Sequence, residues 1–326
     1  MNRNLALEFV RVTEAAALAS SRWMGRGDEK QADQAAVTAM RTAFNSVLMK
    51  GQVVIGEGER DKAPMLYIGE PVGFAHTKEA KKIQNTEIFP EIDIALDPLE
   101  GTTICAKGGV GATSVIAAAK KGNLLHAPDI YMDKLACGPK GKGCLSLDNT
   151  PAKNISILSE KLKKPISDLT VVVLERPRHE ELIKQVRDTG ARICLIDDGD
   201  VSAGIATCTQ GSGIDLLLGI GGAPEGVITA AAIKCLDGDF QGRLLFSNEE
   251  EKQRASKMGI SDYNKIYHLE QLATGPVLFA ATGVTDGPFL KGVRHLGKGR
   301  VQTHSVVFRS QTKTHRYIQA EHSLKF

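Results

Sequence analysis

Ile92-Asp93-Ile94-Ala95-Leu96-Asp97-Pro98-Leu99-Glu100-Gly101-Thr102-Thr103 is the stretch on which the fold turns. Its first five residues alternate in the manner of a β-strand, which is expected to stop at Asp97. Pro98 biases the residue before it toward extended or turn geometry, and Gly101 permits tight passage of the backbone. The strand thus delivers Asp97 and Glu100 at its carboxyl end, where both can converge on one cation beside the Thr102 hydroxyl. Hard divalent cations take such oxygen donors and keep sites for water or phosphate. The bland alternative is an Asx-type turn after a strand.

On the amino-terminal side, residues 3–20 and 31–48 read as amphipathic helices separated by Gly25-Arg26-Gly27-Asp28. A strand, Val53-Val54-Ile55, ends in the turn Gly56-Glu57-Gly58-Glu59, and 70–90 reads as an excursion. On the carboxyl-terminal side, Ser114–Ala119 predicts a strand. The Gly- and Pro-rich stretch 138–152 predicts a boundary between two lobes, 1–150 and 151–326. Beyond it, buried strands at 169–174, 192–196 and 214–219 alternate with helices at 178–189, 201–209 and from Pro224, the pattern of a parallel layer. Val277–Ala281 and His304–Arg309 complete the strands, the latter expected as the last. The fold class is α/β.

The chain has 326 residues, enough for about two domains. With 42% hydrophobic and 24% charged residues it is globular rather than disordered. A net charge of +3 gives no reason for nucleic acid or an acidic membrane as partner. With only 5% aromatics there is no stacking platform for single strands. No apolar run reaches the roughly 18 residues of a membrane helix. Leu5, Phe9, Val12 and Ala16, interrupted by Glu8 and Glu14, predict a helix rather than a secretory signal, so a cytoplasmic location is expected. Six cysteines form no C-x-x-C pair and are expected reduced and mostly buried.

Further carboxylates sit at strand ends and helix starts. Glu57 and Glu59 share a turn, with Asp61 close behind. Asp33 lies near a helix start, where alone it reads as a cap or surface acid. Glu225 follows Gly221-Gly222-Ala223-Pro224, and Pro224 suits a first helical turn whose free N–H groups attract anions. The same stretch imitates a dinucleotide fingerprint. However, Pro224 occupies its third glycine position and Glu225 would repel a pyrophosphate. There is no Walker A sequence. Four to six acids of this kind suit a pair of divalent ions acting on a phosphate ester, one acidifying water and the other stabilising the leaving oxygen.

With these motifs the sequence closely resembles class II fructose-1,6-bisphosphatases, a branch of the lithium-sensitive, metal-dependent sugar phosphatases. The resemblance spans essentially the whole chain. It includes Ala32-Asp33, Val54–Glu59, Ala63–Glu70, Asp97–Thr102, Ala127–Met132, Pro177-Arg178-His179, Asp198-Gly199-Asp200 and Gly219–Gly226. It implies a layered αβαβα sandwich. Asp33, Glu57, Asp97, Glu100 and Glu225 match the family's metal ligands, for two or more Mg²⁺ or Mn²⁺ ions. Thr102 and Asp61 match catalytic positions. Glu100, Gly101, Thr102, Tyr131, Arg176, Pro177, Arg178, Asp198, Gly199, Asp200 and Gly222 match substrate-contact positions. The sequence departs from the family pattern at Glu29, where a lysine is usual and Lys30 stands adjacent, and in a longer 74–90 stretch.

The resemblance implies hydrolysis of the 1-phosphate of fructose 1,6-bisphosphate to fructose 6-phosphate and phosphate, as in gluconeogenesis, by a homodimer or homotetramer. Sedoheptulose 1,7-bisphosphate is the nearest alternative substrate. A non-catalytic sugar-phosphate sensor is a rival of a different class, opposed by the intact acidic set. An inositol monophosphatase is disfavoured because its Trp-Asp motif is missing.

Overall fold

The computed structural model describes residues 4–58, 65–83 and 88–323. The chain forms two compact units. One comprises Met1–Leu124 with Gly275–Phe326, the other Leu125–Thr274.

The first unit begins with helix α1 (Leu5–Ser20) and helix α2 (Glu29–Phe44). Asp28 caps α2 by accepting from the Gln31 N–H at 3.0 Å, so the helix starts earlier than its periodicity predicts. Strands β1 (Lys50–Ile55), β2 (Pro71–Val72) and β3 (Glu91–Glu100), helix α3 (Thr102–Lys107) and strand β4 (Thr113–Lys120) follow. The β1–β3 pair is parallel and the β3–β4 pair antiparallel. β3 does not stop at Asp97 as expected. It runs on to Glu100 through a bulge, with Asp97 opposite Val115 and Glu100 opposite Thr113. Pro98 therefore sits at an irregularity, where a missing N–H costs no ladder bond.

The second unit opens with strand β5 (Tyr131–Cys137), helix α4 (Pro151–Leu162) and strand β6 (Thr170–Leu174). Helix α5 (Glu180–Asp188), strand β7 (Arg192–Ile196), helix α6 (Asp200–Ala206), strand β8 (Leu216–Gly222) and helix α7 (Ala223–Cys235) come next. Strand β9 (Asp239–Leu245), helix α8 (Glu249–Lys257), strand β10 (Ile266–His268) and helix α9 (Leu269–Leu272) complete it. Its sheet runs β10-β9-β5-β8-β6-β7. Only β6 with β7 and β6 with β8 are parallel; β5 runs antiparallel to both β8 and β9. The three strands expected to form a parallel layer, β6, β7 and β8, are parallel, and the sheet as a whole is mixed because β5, β9 and β10 join it antiparallel.

The chain then returns to the first unit as β11 (Val277–Gly283), β12 (Arg294–Gly297), β13 (Arg300–Arg309) and β14 (Thr314–Ser323). β13 contains the strand expected as the last, and β14 pairs with it along ten positions. Among the described residues the first sheet runs β12-β13-β11-β4-β3-β1-β2, with β14 on β13. This return explains why a split near 138–152 does not match the observed units. β11 pairs with β4 over seven residues, binding the carboxyl-terminal strands to the amino-terminal sheet. The 138–152 stretch is tied into the second unit: Gly143 N–H donates to Asp239 at 2.8 Å and Leu147 N–H to Gln241 at 3.1 Å.

Each unit is a sheet carrying helices on an apolar core, the α/β class expected. In the first, Phe9, Met40 and Phe44 are fully buried with Ile92, Ile94 and Ile116. Each such side chain contributes roughly 1.5–3 kcal/mol. In the second, Leu135, Ile155, Val171, Val173 and Leu216 form the core. No helix among the described residues is long and apolar enough to cross a membrane. All six cysteines are free; Cys105, Cys137 and Cys235 are buried, and the other three only partly so.

Candidate active site

In the first unit, the register of the parallel pair β1–β3 matches Ile55 with Ala95. Glu57 and Asp97 each follow two residues later, so both acids leave at the same end of the sheet. The Glu57 N–H donates to Leu66 O at 3.1 Å, which fixes its turn. Asp97 Oδ1 accepts from the Leu99 N–H at 3.0 Å, so the Asx-type turn is present within the motif. Glu100 is buried and accepts from the Thr113 hydroxyl at 3.3 Å. Gly101 takes the left-handed conformation (φ 87°) that swings the chain into α3, and Thr102 is that helix's first residue.

Gly25 and Gly27 donate to the carbonyls of Cys105 and Ala106 at 3.0 and 2.8 Å, tying the start of α2 to α3. Asp33 therefore rides on a helix anchored beside the end of β3. Burial pushes its carboxyl above the ordinary aspartate range. Asp61 lies outside the described residues.

In the second unit, β6, β7 and β8 end at one side of the sheet, where Arg176, Pro177 and Arg178 follow β6, Asp198, Gly199 and Asp200 follow β7, and Gly222 closes β8. Ligands of α/β sheets bind outside such carboxyl ends. Tyr131, first residue of β5, is in register with Gly222. The Arg178 guanidinium lies 4.7 Å from the Tyr131 ring centroid and donates to Ile220 O at 2.8 and 3.2 Å. Arg176 donates to the Glu175 carbonyl at 3.0 Å. Burial raises the Asp198 carboxyl; the Gly199 N–H, donating at 3.0 Å, and then the Arg176 charge oppose this.

Asp200 is buried and accepts from Lys134 Nζ at 2.6 Å, with the lysine only 2% exposed. Close packing explains the glycines here. A Cβ on Gly221 would lie 2.0 Å from Asp200 Oδ2, and one on Gly222 would lie 1.9 Å from Glu225 Oε2. The Glu225 carboxyl thus folds back over Gly222 at the start of α7, and its Oε2 is buried with no hydrogen-bond partner. Burial raises the Glu225 carboxyl. Lys134 opposes the rise, while Asp200 and Asp129 add to it.

The acids are distributed as Asp33, Glu57, Asp97 and Glu100 in the first unit and Glu225 in the second. Among the described residues, no three His, Cys, Asp or Glu side chains are grouped so as to hold a metal ion. Two residues have roles that the sequence motifs do not assign. Lys134 shares the β5 alternation of Met132 and Ala136, so a lysine in a buried slot was the available signal. His179 follows Arg178 and is 1% exposed; nothing in its spacing announced a role.

Comparison with known proteins adds a match to the family described as bacterial fructose-1,6-bisphosphatase, glpX-encoded, over residues 3–322. A D-fructose 1,6-bisphosphatase class 2/sedoheptulose 1,7-bisphosphatase of Synechococcus sp. (strain JA-3-3Ab) is 50% identical, over 99% of this chain and 96% of that protein. Proteins of the same name from Thermosynechococcus vestitus and Synechocystis sp. are each 48% identical over 99% of this chain, covering 96% and 97% of their own lengths.

Proposed function

This chain belongs to the glpX-encoded bacterial fructose-1,6-bisphosphatase family, and on that premise we propose how its residues hydrolyse fructose 1,6-bisphosphate and with what help. The help is divalent cation, Mg²⁺ or Mn²⁺, held by Asp33, Glu57, Asp97, Glu100 and Glu225. The observation that carries this reading is the Glu225 carboxyl. It is an oxygen donor whose Oε2 is buried without a partner, an arrangement costly in isolation and favourable beside a cation. Asp33 is a second, partly buried oxygen donor whose carboxyl burial also raises. When bound, the cations supply Lewis acidity and a water acidic enough to attack phosphorus at neutral pH.

The chain's own residues do the rest. Thr102 orients the attacking water with its hydroxyl, and Asp61 takes the water's proton. The phosphorus–O1 bond breaks as the new phosphorus–oxygen bond forms, and O1 takes a proton from solvent to balance the one passed to Asp61, giving fructose 6-phosphate and phosphate. Arg176 and Arg178 hold the phosphate that is not cleaved with planar, fixed donors. Tyr131 flanks that phosphate, and Asp198 and Asp200 accept from sugar hydroxyls. Gly101 and Gly222 let the backbone approach the substrate, with Gly199 and Pro177 shaping the adjoining turns. The N-terminal end of α7 favours phosphate charge. We place the enzyme in the cytoplasm as a homodimer or homotetramer.

The names of the cyanobacterial relatives support a second substrate, sedoheptulose 1,7-bisphosphate. Phosphate release from both bisphosphates, with Mg²⁺, with Mn²⁺ and with chelator, tests the proposal. Release from fructose 1,6-bisphosphate that the chelator abolishes supports it. Release that survives exhaustive chelation removes the cations from the reaction.

A further inference from the structure

β6 and β8 are paired only at Val171 with Leu216 and Val172 with Leu217. Past these positions the two strands part, and a small cavity lined by Val173, Leu174, His179, Asp200, Leu218 and Gly219 opens there. The imidazole of His179 spans the gap. Its Nε2 accepts from the Ile220 N–H at 2.7 Å, and its Nδ1 lies 2.7 Å from Leu174 O. An amide can only donate, so Nε2 is bare and the proton resides on Nδ1, which donates to the Leu174 carbonyl. The ring acts as a ladder rung between a β6 carbonyl and a β8 amide.

Local packing is built around this ring. Gly219 adopts φ +133°, and a Cβ there would lie 3.2 Å from His179 Cε1 and Nε2. The Ile220 carbonyl is taken by Arg178, the residue before His179. Both polar groups of the Ile220 backbone are therefore bonded by adjacent side chains of the Pro177–His179 turn. β6 ends at Leu174, the Glu175 N–H still donates to Ile196 O at 2.8 Å, and the three-residue turn itself lies beyond the strand pairing.

We infer that His179 is a positioning residue: as a neutral Nδ1–H imidazole it bridges β6 to β8 where they part, and so fixes the Arg176–Arg178 turn with Arg178 over Tyr131. This rests on the proposal that Arg178 holds the phosphate not cleaved. Arg178 is exposed, and a freely mobile exposed arginine loses rotamer entropy on every binding event. Anchoring its turn beforehand avoids part of that loss.

The test uses His179→Phe, which keeps a flat ring but neither hydrogen bond, His179→Gln, Arg178→Ala and the two double variants in the full chain. His179→Phe is expected to raise KM for fructose 1,6-bisphosphate roughly tenfold with kcat changed less than about threefold, the signature of lost uniform binding. Preference for the bisphosphate over fructose 1-phosphate, which lacks the second phosphate, falls by the same factor. In the Arg178→Ala background, His179→Phe adds nothing further, because its effect runs through Arg178. His179→Gln, which keeps the acceptor for Ile220 only, gives a KM between wild type and His179→Phe, and it serves alone if the Phe variant does not fold. A melting temperature that drops while KM and substrate preference stay at wild-type values overturns the inference, as does a fully additive double variant. Absence of bisphosphate hydrolysis by the wild-type protein fails the function reading instead, so the two failures are distinct.

Discussion

Lys134 Nζ lies 2.6 Å from Asp200 Oδ2 with both side chains buried, joining the middle of β5 to the first residue of α6. Lys134 also opposes the burial of Glu225, the acid at the start of α7. One cation thus serves two carboxylates from different helix starts. Lys134→Met keeps the stem but removes the charge, leaving Asp200 buried and unpaired. Breaking such a pair costs about 3–5 kcal/mol. Denaturant titration of the cation-free protein should show the second unit's transition moving to lower concentration, by that free energy divided by the slope of the transition, and an unchanged midpoint contradicts the pairing argument.

Thr102 opens α3 just past the left-handed Gly101. Thr102→Ala should lower kcat roughly 100-fold, the order of loss when a reacting group is misplaced, while KM moves little. Thr102→Ser keeps the hydroxyl and should retain part of the rate. Steady-state kinetics decide it, and wild-type turnover in the alanine variant removes Thr102 from the chemistry.

Gly222 has ordinary extended backbone, φ −67° and ψ 140°, so alanine is not strained there. The atoms nearest a Cβ there belong to the flexible end of Glu225, with Oε2 at 1.9 Å. Gly222→Ala should therefore leave the melting temperature nearly unchanged but displace the carboxyl. We expect the Mn²⁺ concentration for half-maximal activity to rise roughly tenfold, the lower end for a disturbed ligand environment. Unaltered metal dependence would show that Glu225 can turn away without consequence.

The buried His179 ring carries a pH prediction. Burial lowers its pKa, the Leu174 carbonyl opposes this, and Arg178 and Arg176 add to the lowering. Asp200 lines the same cavity. With the folded value below the unfolded one, this contribution is intact above about pH 6.5 and is lost as pH falls toward the folded value. The loss is at most about 1.4 kcal/mol per pH unit. Glutamine at 179 does not titrate. The stability difference between wild type and His179→Gln should narrow from pH 7 to pH 5, as read by denaturation at each pH.

Much of the fold was legible because apolar periodicity is local. Arg192–Ile196 appears as predicted, and α1, α2 and β4 differ from their predicted bounds by only a few residues. Pairing partners were not legible, because antiparallel contacts such as β11 with β4 join residues more than 150 positions apart. The lobe boundary was missed for that reason: Gly and Pro density marks loops, not which sheet a later strand rejoins. β5 hid because its Lys134 and Asp133 interrupt the apolar run. At the site, the acids were named through resemblance to a family and not from their spacing. The supporting groups, Lys134 and His179, became visible only once burial and hydrogen bonding fixed their partners.

The central claim is that Glu225 is a cation ligand left with one buried, unpartnered oxygen. Calorimetric titration of the cation-free protein with Mn²⁺, set beside Glu225→Gln, tests it most directly. The claim predicts that Glu225→Gln melts no lower than wild type without metal, since glutamine buries no charge, and that it loses at least one Mn²⁺ equivalent or roughly 100-fold in affinity. Equal stoichiometry and affinity in the two proteins would contradict it.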